Sequence, residues 1–284
     1  MEIELGLAHL TALNVEPPDL VVAAARAGFS SIGLRVHPAT AGEARYPMGA
    51  GGAMVAETVR RCRDLGVRVR DVEVFSLDGT RGRQEWLPVL ESGAELGAEV
   101  LNVIGADPAP DRLRESLSML AQDAAAFGIR PSVEPISYQH VSTVVSAHEL
   151  AEATGAGVML DVLHFVRAGQ SVDALRNLPA GLVTVVQLCD GPATVPTITA
   201  PARMPMGQST DGMPRQLESR AKRLAPGEGV FPLVELLRVL DGVPISVEVP
   251  DVAFVDSRGL DAHLAHLHRA ATAVLATPMT GHNR

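Results

Sequence analysis

The sequence predicts a single (β/α)8 barrel, and three observations carry that prediction. Short apolar runs alternate with helix-like stretches eight times along 284 residues, a length within the range of one such barrel. No internal repeat, low-complexity block or linker divides the chain. Four successive strand-like runs also bring an oxygen donor near their C-terminal ends, Glu134, Asp161, Gln187 and Glu248, where barrel strands converge on one mouth.

Each element has its own signal. Residues 3–7 form a short apolar strand, with His9 just past its end. Residues 17–28 (PPDLVVAAARAG) read as a helix, with Pro near the start, Asp in the first turn and Gly as the stop. The second strand, 31–36, runs into His37 and a loop rich in Gly, Ala and Pro. That loop ends in MGAGG (48–52), which either cradles an anion on the next helix or is a plain loop. It has no Walker lysine and no full GxGxxG spacing, which favours the loop. Helix 53–66 follows, then strand 67–77 (VRVRDVEVFSL), alternating apolar and polar, with Glu73 close to its end. Helix 84–97, strand 99–105 with Asn102 inside it, and helix 110–128 come next.

Strand 130–136 carries Glu134 and precedes helix 143–155. The stretch 157–169 (GVMLDVLHFVRAG) holds a sixth strand that runs out at Asp161, with His164 three residues later and a short helix at 171–178. Strand 182–190 carries Gln187 and Asp190, strand 243–250 carries Glu248, and helix 256–275 closes the barrel. The barrel domain thus spans 1–276, and the polar residues 277–284 form a frayed tail. Residues 190–228, holding six prolines and a helical patch at 214–223, make an unusually long connection that reads as a lid over the mouth.

One carboxylate at a strand end is explained by capping a turn. Three of them and an amide in matching places are not, because a buried carboxylate stays ionised only when a cation or donors meet it. Oxygen donors of this kind suit Mg2+ or Mn2+, and His is also acceptable to Mn2+, Co2+ or Zn2+.

Composition narrows the function classes. Acidic residues outnumber basic ones, 33 to 24, for a net charge of −9, which argues against nucleic acid or an anionic membrane as partner. Lys222 is the sole lysine, so Schiff-base chemistry is nearly excluded. Cys62 and Cys189 make no disulfide framework, and Cys62 reads as a packing residue. With no signal segment and no membrane-length apolar run, the expected compartment is the cytoplasm.

With these motifs placed, the chain resembles the sugar phosphate isomerase/epimerase superfamily, the xylose isomerase-like barrels, over nearly its whole length. The specific parts are SVEP at Glu134, LDVLHFVRAG at Asp161 and His164, VVQLCDGP at Gln187, RLAPGEG at Arg223 and SVEVP at Glu248. The resemblance implies one divalent ion on Glu134, Asp161, Gln187 and Glu248, with His164 and Arg223 contacting substrate. Gln187 stands where ketose epimerases usually place His, which looks more like the dehydroshikimate dehydratase branch. The implied chemistry is proton abstraction α to a carbonyl through a metal-stabilised enediolate. Glu134 and Glu248 would be acid and base in an epimerase, and His164 the base in a dehydratase.

The leading expectation is an isomerase or epimerase acting on a polyhydroxylated keto compound, sugar or cyclitol-like. A lyase of the dehydroshikimate dehydratase type is the alternative, and a non-catalytic ligand-binding barrel or partner subunit stands behind both. The superfamily's abasic-site endonucleases need a His-rich multi-zinc cluster that this sequence lacks. The resemblance also favours a homodimer or larger assembly.

Other candidates have two readings each. Arg167 either anchors a substrate oxygen or pairs with a carboxylate, and Glu73 lines the mouth or supports residues that do. Asn102 lines the mouth or satisfies barrel backbone. His37, like His9, sits where substrate contacts fall. His263, His266 and His268 read as a solvated helix face rather than a metal site.

Overall fold

Eight parallel strands pair in sequence order, and the last returns to the first to close a barrel. The computed structural model describes residues 4–277. The first half runs β1 (Leu5–Leu7), α1 (Pro17–Ala27), β2 (Ser31–Arg35), α2 (Ala53–Leu65), β3 (Arg68–Leu77), α3 (Arg83–Leu96), β4 (Val100–Gly105) and α4 (Pro110–Ala125). The second continues through β5 (Arg130–Glu134), α5 (Val144–Thr154), β6 (Gly157–Asp161), α6 (Val162–Arg167), α7 (Asp173–Arg176) and β7 (Val183–Leu188). It ends with α8 (Pro214–Ala221), α9 (Leu233–Val239), β8 (Ile245–Val247), α10 (Val252–Arg258) and α11 (Leu260–Leu275).

Alternation along the strands divides the core. Ile32, Leu34, Leu101, Val103, Val158, Leu160 and Val186 join the apolar layer that also holds Leu20, Leu90, Leu117 and Leu264 of the helices. A separate cluster of Val100, Met159 and Val185 packs apart from that layer. Above it the lining turns polar. Gly33 is required here, since a Cβ would come within 2.6 Å of Asp71 Oδ2 and 2.9 Å of Glu73 Oε1.

One local expectation is corrected, the closing helix, and two local features fill in the reading. Helix α6 starts directly after β6. The Asp161 carboxylate accepts from the Leu163 amide at 2.7 Å and caps that helix, so His164 and Arg167 ride on helical backbone. The closing helix is two helices, broken at Gly259, whose φ of 85° lies outside the helical region. The MGAGG stretch is a loop, the reading its sequence favours, and its Gly51 amide donates to Glu95 Oε2 at 2.5 Å. Of the tail expected at 277–284, all but Thr277 lies outside the described residues, as does residue 3 of the first strand. No helix among the described residues is long and apolar enough to cross a membrane.

His9 is a fold residue. It is fully buried, its Nε2 donates to Val15 O at 2.9 Å, and its Nδ1 accepts from the Arg35 amide at 2.9 Å. Burial pushes its pKa down to about 3, so it stays neutral in the fold. The unfolded chain takes up that proton near pH 6.5, so stability is full above that pH and falls as pH drops from 6.5 towards 3. His9 alone is expected to cost about 2 kcal/mol between pH 6.5 and 5. Urea midpoints of wild type and His9→Gln across that range test this; parallel pH slopes would refute it.

The connection between β7 and α9 is anchored at its base. Asp190 pairs with Leu224 backbone to backbone, and its carboxylate accepts from the amides of Gly191, Gly227 and Phe231 at 2.8–3.0 Å. Helix α8 within it is held to α6 by Arg167, which donates to both Glu218 oxygens at 2.8 and 2.5 Å. Both side chains are buried, so neutralising Glu218 strands a guanidinium. Breaking such a pair typically costs about 3–5 kcal/mol. Glu218→Gln is expected to release the segment: limited proteolysis should cut it within 190–228 at least tenfold faster, with the barrel's thermal midpoint changing little. Unchanged cleavage would mean that the segment does not open on its own.

Candidate active site

The barrel register gathers the four donors. Asp161 and Gln187 are direct partners across β6 and β7, Glu134 ends β5, and Glu248 follows β8. Asn102 Nδ2 on β4 donates to Glu134 Oε2 at 2.7 Å, and Gln187 Nε2 donates to Glu248 Oε1 at 2.7 Å. Arg223 reaches in from the end of the long connection. Its Nη1 donates to Asp161 Oδ2 at 2.9 Å, and its Nη2 lies 3.0 Å from Glu248 Oε2. On α6, one turn past Asp161, His164 points the same way. Its Nε2 lies 3.9 Å from Glu134 Oε1 and 3.8 Å from Asp161 Oδ2. Its Nδ1 lies 3.2 Å from Ser137 Oγ, and the Tyr138 ring meets its ring edge-on at 5.3 Å.

The electrostatics follow from burial. Desolvation, then the charge of Asp161, pushes Glu134 up to about 7, against the Asn102 hydrogen bond. Desolvation also drives Glu248 well above the usual carboxylate range despite Arg223. For Asp161 burial acts upward too, but Arg223 and His164 outweigh it and hold the group ionised. Burial takes His164 down to about 4, with Asp161 opposing and Arg223, Arg220 and Arg215 assisting. His164 is therefore a neutral imidazole at pH 7.

These residues fit a divalent ion. Three carboxylates are buried together with a single guanidinium, which meets Asp161 and Glu248, and their crowding and burial raise Glu134 and Glu248, a cost that a cation would relieve. Gln187 Oε1 is buried with no hydrogen-bond partner, a free amide oxygen among carboxylates. Donor atoms of Glu134, Asp161 and His164 all lie within 4.8 Å of one another. Oxygen donors with one imidazole at the edge suit a hard or borderline divalent cation.

Other expected site residues divide. Glu73 lines the mouth, accepting from Arg35 Nη2 at 3.3 Å and from the His9 amide at 2.9 Å; Arg35 also donates to Glu43 at 2.7 Å. Arg167 does not reach the mouth, because its guanidinium is taken by Glu218 and by the Pro192 carbonyl at 2.9 Å. His37 is also outside, with Nδ1 on Pro38 O at 3.0 Å and its ring on Phe75. Asn102 proves to be a site residue rather than a backbone partner. The helix histidines form no solvated face: His263 is buried on Val249 O at 2.9 Å, His266 pairs with Glu228 at 2.9 Å, and His268 packs on Phe29.

Sequence reasoning missed Ser137, Tyr138, Gln208 and Arg220. Only Ser137 and Tyr138 left a signal, as polar residues directly after the SVEPI run. Tyr138, Gln208 and Arg220 line, with Glu134, His164 and Glu248, a partly open cavity of about 60 Å3.

The fold and site define a (β/α)8 barrel with a buried oxygen-donor centre at its C-terminal mouth. The chain belongs to the xylose isomerase-like TIM barrels, whose family model matches residues 21–271. No curated protein matches the sequence. Among solved structures it is similar to a xylose isomerase-like TIM barrel/4-hydroxyphenylpyruvate dioxygenase fusion protein, at 19% identity and TM-score 0.74. That match covers 96% of this chain but only 43% of the longer fusion protein. It is also similar to the IolI protein with a binding zinc atom, at 15% identity and TM-score 0.74, covering 96% of this chain and 98% of the other. D-psicose 3-epimerase from Clostridium cellulolyticum H10, solved with D-tagatose, is 13% identical with TM-score 0.69, covering 96% and 99%. At these identities the likeness shows the fold.

Proposed function

We propose that the protein is a divalent-metal-dependent isomerase or epimerase that removes a proton α to the carbonyl of a small polyhydroxylated keto compound. The observation that carries this reading is the buried cluster of Glu134, Asp161 and His164, whose donor atoms lie within 4.8 Å of one another, with the Gln187–Glu248 pair next to Asp161 and the Gln187 carbonyl oxygen left free. Glu134, Asp161, Gln187 and Glu248 would hold the ion, Mn2+ or Mg2+ by their oxygen chemistry. When bound, such an ion supplies Lewis-acid polarisation of the substrate's carbonyl. The IolI protein's zinc and the epimerase's ketose give the reading its analogues.

The chain's own residues account for the rest. Glu134 and Glu248 come from β5 and β8, separated around the barrel by β6 and β7, so they can address opposite faces of a bound substrate. Asn102 fixes the Glu134 carboxylate, and Arg223 fixes Asp161 and Glu248. Arg35 is tied to Glu43 and Glu73 and shapes the β2–β3 side. The segment carrying α8 excludes water from above. Small-molecule pockets run to about 300–1,000 Å3, far more than the 60 Å3 of this partly open cavity, so the segment carrying α8 would have to move outward to admit a substrate of that size.

A second reading, a carbon–oxygen lyase, is favoured by one further observation. His164 is a neutral, buried imidazole steadied by Ser137 beside the donor set, a single base suited to a proton removal followed by loss of a β-hydroxyl. Deuterium incorporation from solvent into keto-polyols by the Mn2+-loaded protein tests both readings. Exchange with an epimeric or isomeric product supports the first, and exchange with an unsaturated product supports the second. No metal-dependent exchange with any candidate would refute both and leave a binding barrel.

A further inference from the structure

The cations facing the cavity are unequally matched. Arg35 is met by Glu43 and Glu73, and Arg223 by Asp161 and Glu248. Arg220 also lines the cavity, from the last turn of α8. Among the described residues it has no carboxylate partner. Its Nη1 donates to the Ser209 carbonyl at 2.6 Å, and its guanidinium carbon lies 6.0 Å from the Tyr138 ring centroid. A hydroxyl pair sits beside it, Tyr138 Oη and Ser219 Oγ at 2.9 Å.

Charge bookkeeping sharpens the point. A divalent ion together with Arg223 would balance Glu134, Asp161 and Glu248, while Arg35 is met by two carboxylates of its own. Among the described residues Arg220 alone of these cations has no carboxylate within ion-pair reach, in a partly enclosed space where a charged hydrogen bond is stronger than in water. Its planar fork matches a carboxylate or a phosphate in bidentate fashion.

We infer that Arg220 is a specificity-determining residue that holds an anionic group, carboxylate or phosphate, on the substrate. The anion sits under α8, against Arg220 and the Tyr138–Ser219 hydroxyls, and leaves the carbonyl end to the metal-side residues. This deepens the reading proposed above and rests on it. It also places the recognition group on the lid, so an anionic substrate would hold the lid shut as it binds.

The matched probes are D-glucitol and D-gluconate, which differ at one carbon, with D-glucitol 6-phosphate as the phosphate arm. Calorimetric titration into the Mn2+-loaded full chain should show at least one anion binding about tenfold or more tighter than D-glucitol. Arg220→Gln should remove that advantage, and Arg220→Lys should keep part of it. The anion with the larger Arg220-dependent gain identifies the headgroup. Equal affinities, no measurable anion binding, an anion preference that survives Arg220→Gln (the anion then lies on the metal), or equal weakening of D-glucitol would each overturn the inference. The reaction is tested separately by deuterium exchange into D-fructose and 5-keto-D-gluconate. Absence of exchange with intact anion selectivity would refute the reaction and leave the recognition site.

Discussion

Glu134→Gln is expected to remove divalent-ion binding and all metal-dependent proton exchange while leaving the barrel folded. Glutamine keeps an oxygen to accept the Asn102 amide, so the 2.7 Å hydrogen bond survives. It also takes one negative charge from a crowded buried set, so the metal-free fold should be as stable as wild type or more so. Metal affinity should fall by at least about 100-fold, the upper end for residues one layer outside a ligand set. Metal analysis and thermal unfolding read this together. Wild type should gain about 2.7 kcal/mol at a metal concentration 100 times its Kd, and the variant about 0.4 kcal/mol or less at the same concentration. Equal metal-induced stabilisation of the two proteins would remove Glu134 from the ligand set.

The second large effect is expected at His164. If this imidazole moves the proton, His164→Asn should keep the ion and lose about 10^2–10^4 in exchange rate, the usual worth of a positioned base. Its donor atom lies close enough to those of Glu134 and Asp161 to share a cation, so the two roles must be separated. Metal content decides. Ion lost in step with activity makes His164 a ligand, and ion retained without exchange makes it the base. Full activity in the variant would leave proton transfer to Glu134 and Glu248.

Strand-end residues were the legible part of this site. A buried β-strand is a run of apolar residues, so a Glu, Asp or Gln interrupting its end is visible without a structure, as at Glu134, Asp161, Gln187 and Glu248. Helix stops at Gly28 and Gly66 were legible because both adopt a left-handed cap. What failed depends on long-range pairing. Nothing local distinguishes Arg167, which faces Glu218 of α8, from Arg220, which belongs to α8 and faces the cavity. Asn102 looked like a strand residue because its partner lies 32 positions away on the next strand. His263 looked solvated because its acceptor, Val249 O, belongs to a different segment.

Asp190 has a consequence beyond anchoring. Both ends of the long excursion meet at this one carboxylate, through the amides of Gly191 at one end and Gly227 and Phe231 at the other. The excursion therefore leaves and rejoins the barrel at a closed neck, and reaches back to it through Glu218 and Arg223. Closing a flexible loop grows only slowly more costly with length, by about 0.6 kcal/mol per doubling. Insertions between the neck and α8 can thus accumulate with little penalty to the scaffold, and that proline-rich stretch becomes a cassette. A lineage, or an engineer, could vary the cassette to change what the barrel accepts, provided Glu218 and Arg223 keep their contacts with Arg167, Asp161 and Glu248.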